Sequence, residues 1–154
     1  MKLSNLINDY YLSFDFNSLR KETKAQYQYF LGILNDTKID GSTKLGGHKL
    51  SDISSKLAKR AYEQWCGRGV SLANHIVSVA RVVYNYAIEM ETYNMNPFTG
   101  IKKRKSVSRK VVWSKDDVIR FLDTAYSDFS TRNIGLIGQM AYEWCQRLGD
   151  IRLL

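Results

Sequence analysis

The sequence predicts an all-α protein, and three observations carry that prediction. Apolar residues recur at i, i+3 and i+4 over most of the chain, turn-forming residues fall at the ends of those stretches, and strand-like alternation is scarce. The only proline, Pro97, divides the 154 residues into a longer first part and a shorter second. That length suits one ordinary domain or two small ones. A hydrophobic content of 44% with 25% charged residues belongs to a globular chain rather than a disordered one.

The elements follow in order. Leu6, Ile7, Tyr10 and Tyr11 share a face over Leu3–Ser13 and predict a short first helix. Leu19, Tyr27, Phe30, Leu31 and Leu34 form the stripe of a second over Ser18–Leu34. Asn35-Asp36, residues 40–43 and Gly46-Gly47 mark a loop. Asp52 or Ser54 caps a third helix running to about Cys66, which Gly67-Arg68-Gly69 ends. Ser71 is expected to cap the longest helix, with Leu72, Ile76, Val79, Val83 and Ala87 on one face and Asn94–Pro97 closing it. Beyond the basic stretch that follows, Ser114 with Asp116 and Asp117 makes an N-cap and an acidic first turn. Val118, Phe121, Leu122 and Ala125 are the apolar face of that helix. A further helix from about Ser130 to Trp144 is nearly all apolar, as for an element at the centre of a larger core. Tyr27, Phe30, Tyr84 and Trp144 fall on apolar faces and are assigned to the core.

The formal charge is +8, which favours a polyanionic partner. Its distribution says more. Residues 1–100 carry 12 basic and 9 acidic side chains, residues 101–112 carry 6 and none, and residues 113–154 carry 5 and 6. Lys102, Lys103, Arg104, Lys105, Arg109 and Lys110 therefore supply most of the excess. Such a segment cannot bury itself and is predicted to be a linker. Against phosphates, its cations would each release counterions and give salt-dependent, sequence-blind affinity. The same segment also fits a solvated joint or a basic localisation tract. In the first part, Arg20, Lys21 and Lys24 cluster at one helix start, and Lys56, Lys59 and Arg60 on another. Asn74, His75, Ser78, Arg81 and Asn85 form a polar set on the long helix that could reach base edges and phosphates, or simply face solvent.

Taken together, several stretches resemble the tyrosine recombinases, the phage-integrase family. Thr23-Lys24-Ala25-Gln26-Tyr27 is similar to the family's early Thr-x-x-x-Tyr helix. Leu50-Ser51-Asp52-Ile53 resembles the segment before its third helix. Ser71–His75, Tyr84–Ala87 and Asn96-Pro97 resemble its long helix and Asn-Pro exit, and Val112–Val118 its entry into the catalytic domain. Near the end, an apolar helix followed by Cys145-Gln146-Arg147-Leu148-Gly149-Asp150-Ile151 resembles the family's Thr-Gly-Leu-Arg-x-x-Glu-Ile motif, with Cys-Gln in place of Thr-Gly and Asp in place of Glu. The resemblance covers nearly the whole chain.

It implies a four-helix, SAM-like core-binding domain over 1–100, the basic linker over 101–112, and the first helices of a truncated catalytic domain over 113–154. It implies Arg147 as one of the arginines that clamp the scissile phosphate, with Asp150 supporting that helix. A guanidinium can meet two non-bridging oxygens at once, which suits transesterification at a phosphodiester. The implied parent reaction is tyrosine attack on DNA, a 3′-phosphotyrosyl intermediate and strand exchange in integration or recombination of a phage or mobile element. It takes no metal and no cofactor. The implied partners are double-stranded DNA and other recombinase protomers, a tetramer in the full synapse. The implied setting is the cytoplasm of a bacterial host, associated with the nucleoid. The family's nucleophilic tyrosine lies downstream of its lysine and His-x-x-Arg motif, so this chain is expected to bind DNA without cutting or joining it.

Two other readings fit part of the pattern: a free-standing helical DNA-binding regulator or decoy, and a protein-interaction module whose basic segment meets an acidic partner. Cys66 and Cys145 stand far apart with no CxxC and no histidine cluster, which argues against a metal site or disulfide scaffold. No apolar run reaches the roughly 18 residues of a membrane span, and no signal peptide opens the chain. A lone arginine at the end of a helix also has an ordinary role beside the helix dipole, which keeps a structural role open for Arg147.

Overall fold

The computed structural model describes residues 1–39, 41, 43–106, 112–145 and 147–151. The chain divides into two units, Met1–Val107 and Ser108–Leu154. Every regular element among the described residues is helical. The only β pairing there consists of isolated bridges, Lys2 with Lys49 and Lys38 with Lys44.

The first unit holds helices α1 (Leu3–Leu12), α2 (Phe14–Asn17), α3 (Lys21–Asp36), α4 (Ser55–Arg68) and α5 (Val70–Glu89). Helix α1 buries Leu3, Leu6, Ile7 and Tyr10 at i, i+3, i+4 and i+7; of the predicted face Tyr11 is only half-buried, and Leu3 takes its place in the core. Its start is fixed by backbone bonds, Leu3 N–H to the His48 carbonyl and Leu50 N–H to the Met1 carbonyl. The Ser13 hydroxyl accepts from Phe16 N–H and turns the chain into α2. That places the Phe16 ring against Tyr10 and Tyr11, at centroid separations of 5.6 and 4.9 Å. The second predicted helix begins later than expected, at Lys21, because Ser18 closes the 14–17 turn and Arg20 is extended before the helix starts.

Helices α3 and α4 are tied at their C-terminal ends. Trp65 Nε1 donates to the Thr37 hydroxyl at 2.8 Å, and that hydroxyl donates to the Ile33 carbonyl at 2.7 Å. A buried indole N–H without such a partner would cost about 1–3 kcal/mol. Ser54 caps α4 by accepting from Leu57 N–H, one of the two caps the sequence offered. A single residue, Gly69 at φ 150°, then joins α4 to α5. Helix α5 therefore starts at Val70, and Ser71 lies inside its first turn rather than capping it. The α5 core face carries Ala73, Ile76, Val77, Ala80, Val83, Tyr84 and Ala87. At about 1.5–3 kcal/mol for each large buried side chain, this face is a substantial part of the unit's core.

Helix α5 also ends several residues before Pro97. Glu91 takes the left-handed conformation at φ 53°. Its N–H reaches the Ile88 carbonyl and the Thr92 N–H reaches the Ala87 carbonyl, the paired bonds of a Schellman stop. The termination is local, with a non-glycine residue in the glycine position, and does not need the proline.

The second unit holds α6 (Lys115–Ser127), α7 (Arg132–Trp144) and the short α8 (Leu148–Ile151). Ser114 and Asp117 form a full capping box: Asp117 N–H donates to the serine hydroxyl, and Ser114 N–H to the Asp117 carboxylate. The Ser114 hydroxyl, which also donates to that carboxylate at 2.7 Å, and the Ser114 N–H hold the Asp117 carboxyl below its ordinary pKa. Helix α7 approaches α6 closely through glycines. A Cβ on Gly138 would lie 2.6 Å from the Phe121 ring, and one on Gly135 3.0 Å from Ala125 Cβ. Trp144, expected in the core, is 55% exposed, and Ile134, Leu136 and Tyr142 are exposed with it. Within the described unit α7 is covered by α6, the short α8 and the helical turn Phe129–Thr131, so its apolar side chains exceed the surface available to bury them.

Candidate nucleic-acid interface

Residues 101–104, the start of the predicted linker, are built onto the first unit together with residues 96–100. Phe98 is fully buried, its ring 5.5 Å from that of Tyr84 and 6.5 Å from that of Trp65, and Ile101 is buried behind it. Arg81 on α5 fixes the backbone between these anchors. Its guanidinium donates to the carbonyls of Phe98, Thr99 and Ile101 at 3.0, 3.1 and 2.6 Å. Asn96 adds bonds to the Arg81 carbonyl and the Asn85 side chain, and accepts from Phe98 N–H. Further along, Asn74 Nδ2 donates to the Arg104 carbonyl at 2.9 Å, and Arg104 N–H donates to the Tyr62 hydroxyl at 2.7 Å. Lys103 Nζ donates to the Ser78 hydroxyl.

The polar face of α5 is thereby accounted for. Asn74, Ser78, Arg81 and Asn85 are occupied by the chain's own 96–104 segment. Asn74 and Arg81, read from sequence as candidate DNA contacts, serve as clamps, because a helix face with this pattern satisfies an adjacent backbone as readily as a base edge. His75 is exposed and stacks flat on Phe30, with ring centroids 5.2 Å apart and planes 9° apart.

What the clamp presents is charge. A cleft of about 420 Å³ lies between α4 and the 97–104 segment, lined by Ser55, Lys59, Tyr62, Glu63, Pro97, Gly100, Ile101, Lys102 and Arg104. Three cations thus face one carboxylate. The ion pairs Lys44–Asp36 and Arg120–Asp117 take no cation from the cleft. Lys59, Lys102 and Arg104 come from stretches more than forty residues apart in sequence and are united by the fold. Lys56, Lys103 and Lys105 are exposed on the same two stretches. Arg60 is exposed on α4 and makes contacts of its own.

The other predicted residues fall elsewhere. Arg20 is the N-cap of α3 and makes no side-chain cap bond. Lys21 follows it, exposed, and Lys24 Nζ donates to the Asn17 carbonyl at 2.8 Å, closing α2. Arg109 and Lys110 lie outside the described residues. Arg147 is exposed and opens α8, its carbonyl accepting from the N–H groups of Asp150 and Ile151 at 2.9 and 3.2 Å. Asp150 is exposed in the first turn of that helix.

Tyr62 is the functional candidate that the sequence left unmarked. Its ring is buried and its hydroxyl joins two groups, donating to Asn74 Oδ1 at 2.8 Å while accepting from Arg104 N–H. Burial pushes the phenol above its ordinary pKa, and the Arg104 N–H draws it partly back. The one hint was Phe98 and Ile101, two apolar residues three apart beside a cationic run, which mark a place where that run touches a core. No helix among the described residues is long and apolar enough to cross a membrane. No protein-family model, curated protein or solved structure matches the chain.

Proposed function

We propose that this chain is the DNA-binding front portion of a tyrosine-type site-specific recombinase, acting in DNA integration or recombination. The observation that carries the reading is the cationic cleft: Lys59, Lys102 and Arg104 gathered on a folded helical unit, with more cations on the same stretches. Cations that neutralise phosphates release the counterions condensed on a duplex, which is the source of a basic surface's affinity for DNA. In this reading the first unit is the four-helix, SAM-like core-binding domain, with α1, α3, α4 and α5 as its main helices. The second unit is the opening of the catalytic domain. Arg147, at the start of α8, would supply one guanidinium to the scissile phosphate, and Asp150 would steady that turn. Double-stranded DNA is the proposed partner, together with other protomers in a synapse.

The alternative of a self-contained DNA-binding regulator or decoy would have a second unit with its apolar residues covered. Ile134, Trp144 and Leu148 are 57%, 55% and 58% exposed, which favours the recombinase reading. The test is binding of the intact chain to labelled duplex DNA, paired with incubation on a nicked substrate that traps covalent protein–DNA adducts. Tight, salt-sensitive binding without an adduct is the expected result. A chain that ignores DNA but captures an acidic protein would instead be an interaction module.

A further inference from the structure

The hydrogen bonds around Arg104 form a closed loop. Tyr62 accepts from the Arg104 N–H and donates to Asn74, and Asn74 donates back to the Arg104 carbonyl. Both backbone polar groups of one exposed, cationic residue are held by two side chains of the α4–α5 pair. Sequence-blind attraction to a polyanion requires no such arrangement, since a loose cationic tail releases counterions equally well. Fixing a residue's backbone costs about 1–2 kcal/mol of conformational entropy. The investment has a use where position matters. Pinned there, Arg104 and Lys102 meet Lys59 across the cleft, and Ser55 brings the first turn of α4, the positive end of its dipole, to the same lining.

We propose that the cleft between α4 and the 97–104 segment seats a phosphate of a duplex DNA backbone, with the Tyr62–Asn74 pair as the device that positions its cations. The inference rests on the DNA-binding reading and adds where the backbone is gripped and how the grip is held. Its consequence is that the polar face of α5 reads no bases: it is occupied in aligning the strap that meets the phosphate.

Tyr62→Phe keeps the buried ring and removes only the hydroxyl, and Asn74→Ser is a second cut of the same loop. On the intact chain, each is expected to weaken duplex binding about threefold to tenfold, the equivalent of one or two hydrogen bonds. Each should leave the slope of log affinity against log salt unchanged, since no charge is lost. Lys59→Gln, Lys102→Gln and Arg104→Gln should each reduce that slope by about one. Arg104 amide exchange, slow in the parent chain and fast in both loop variants, shows that the latch has opened while circular dichroism shows the fold intact. Inorganic phosphate at matched ionic strength should not displace the duplex; displacement would assign the cleft to free phosphate and overturn the proposal. A parent chain that binds DNA while the loop variants match its affinity, or while the three charge variants keep its slope, refutes the phosphate seat and leaves the DNA reading standing. A parent chain without DNA affinity removes both.

Discussion

Helices α5 and α7 have similar sequence patterns and opposite surroundings. Both carry enough apolar residues for a wide buried face, yet α5 buries Ile76, Val77, Val83 and Tyr84, whereas α7 buries Gly135 and leaves Ile134, Leu136, Tyr142 and Trp144 exposed. The difference lies in what stands opposite. Helix α5 is packed by α1, α3 and α4, and α7 by α6 and two short helical turns. Periodicity tells which residues share a face; it does not tell what covers that face.

The sharpest way to break this comparison is to truncate one tryptophan in each unit. Trp65→Ala should cost about 3–5 kcal/mol, since it opens a cavity and removes the indole bond to the Thr37 hydroxyl. Trp144→Ala should change stability by about 0.5 kcal/mol or less, because its ring already faces solvent. Urea unfolding followed by circular dichroism measures both, and equal losses would mean that α7 has a partner surface in solution.

Next comes the strap. Arg81→Met keeps the side-chain bulk and removes three bonds to carbonyls of Phe98, Thr99 and Ile101. The expected loss is about 1.5–3 kcal/mol, with faster amide exchange over residues 98–104. Unchanged exchange there would show that Phe98 and Ile101 hold the strap unaided.

A stabilising change tests the helix stop. Glu91→Gly relieves a left-handed residue and should raise stability by about 1 kcal/mol, read as a higher melting temperature. The smallest effect is on α6. The capping bonds from Ser114 depress the Asp117 pKa, so their contribution is present above the ordinary value of 3.8 and is lost as pH falls through the lower folded value. The Ser114 amide resonance, followed in an acid titration, should move only in that low range, and Ser114→Ala, which removes the hydroxyl bond but keeps the backbone N–H, should shift the transition up toward the ordinary value.

The helical architecture was legible because local chemistry announced it. Leu3, Leu6, Ile7 and Tyr10 at helical spacing, Ser54 before α4 and the Ser114–Asp117 box all behave as their types predict. Boundaries slipped where one residue overrode the pattern: Gly69 moved the start of α5 past Ser71, and Glu91 ended it before the proline. The cations of the candidate site were legible as composition, but their roles were not. Arg81 and Asn74 look in sequence like residues for DNA, and become clamps because Phe98 and Ile101 pull a basic strand onto the helix that bears them. Tyr62 gave no signal, since its importance comes from residues 12 and 42 positions away.

The measurement that bears most directly on the DNA-binding account is the map of backbone amide shifts in the intact labelled chain as duplex DNA is added. The predicted map has its largest changes at the start of α4 around Lys59 and along 101–105, with α1 silent. Changes centred instead on Arg20 and Lys21 at the start of α3, with the cleft unmoved, would contradict it.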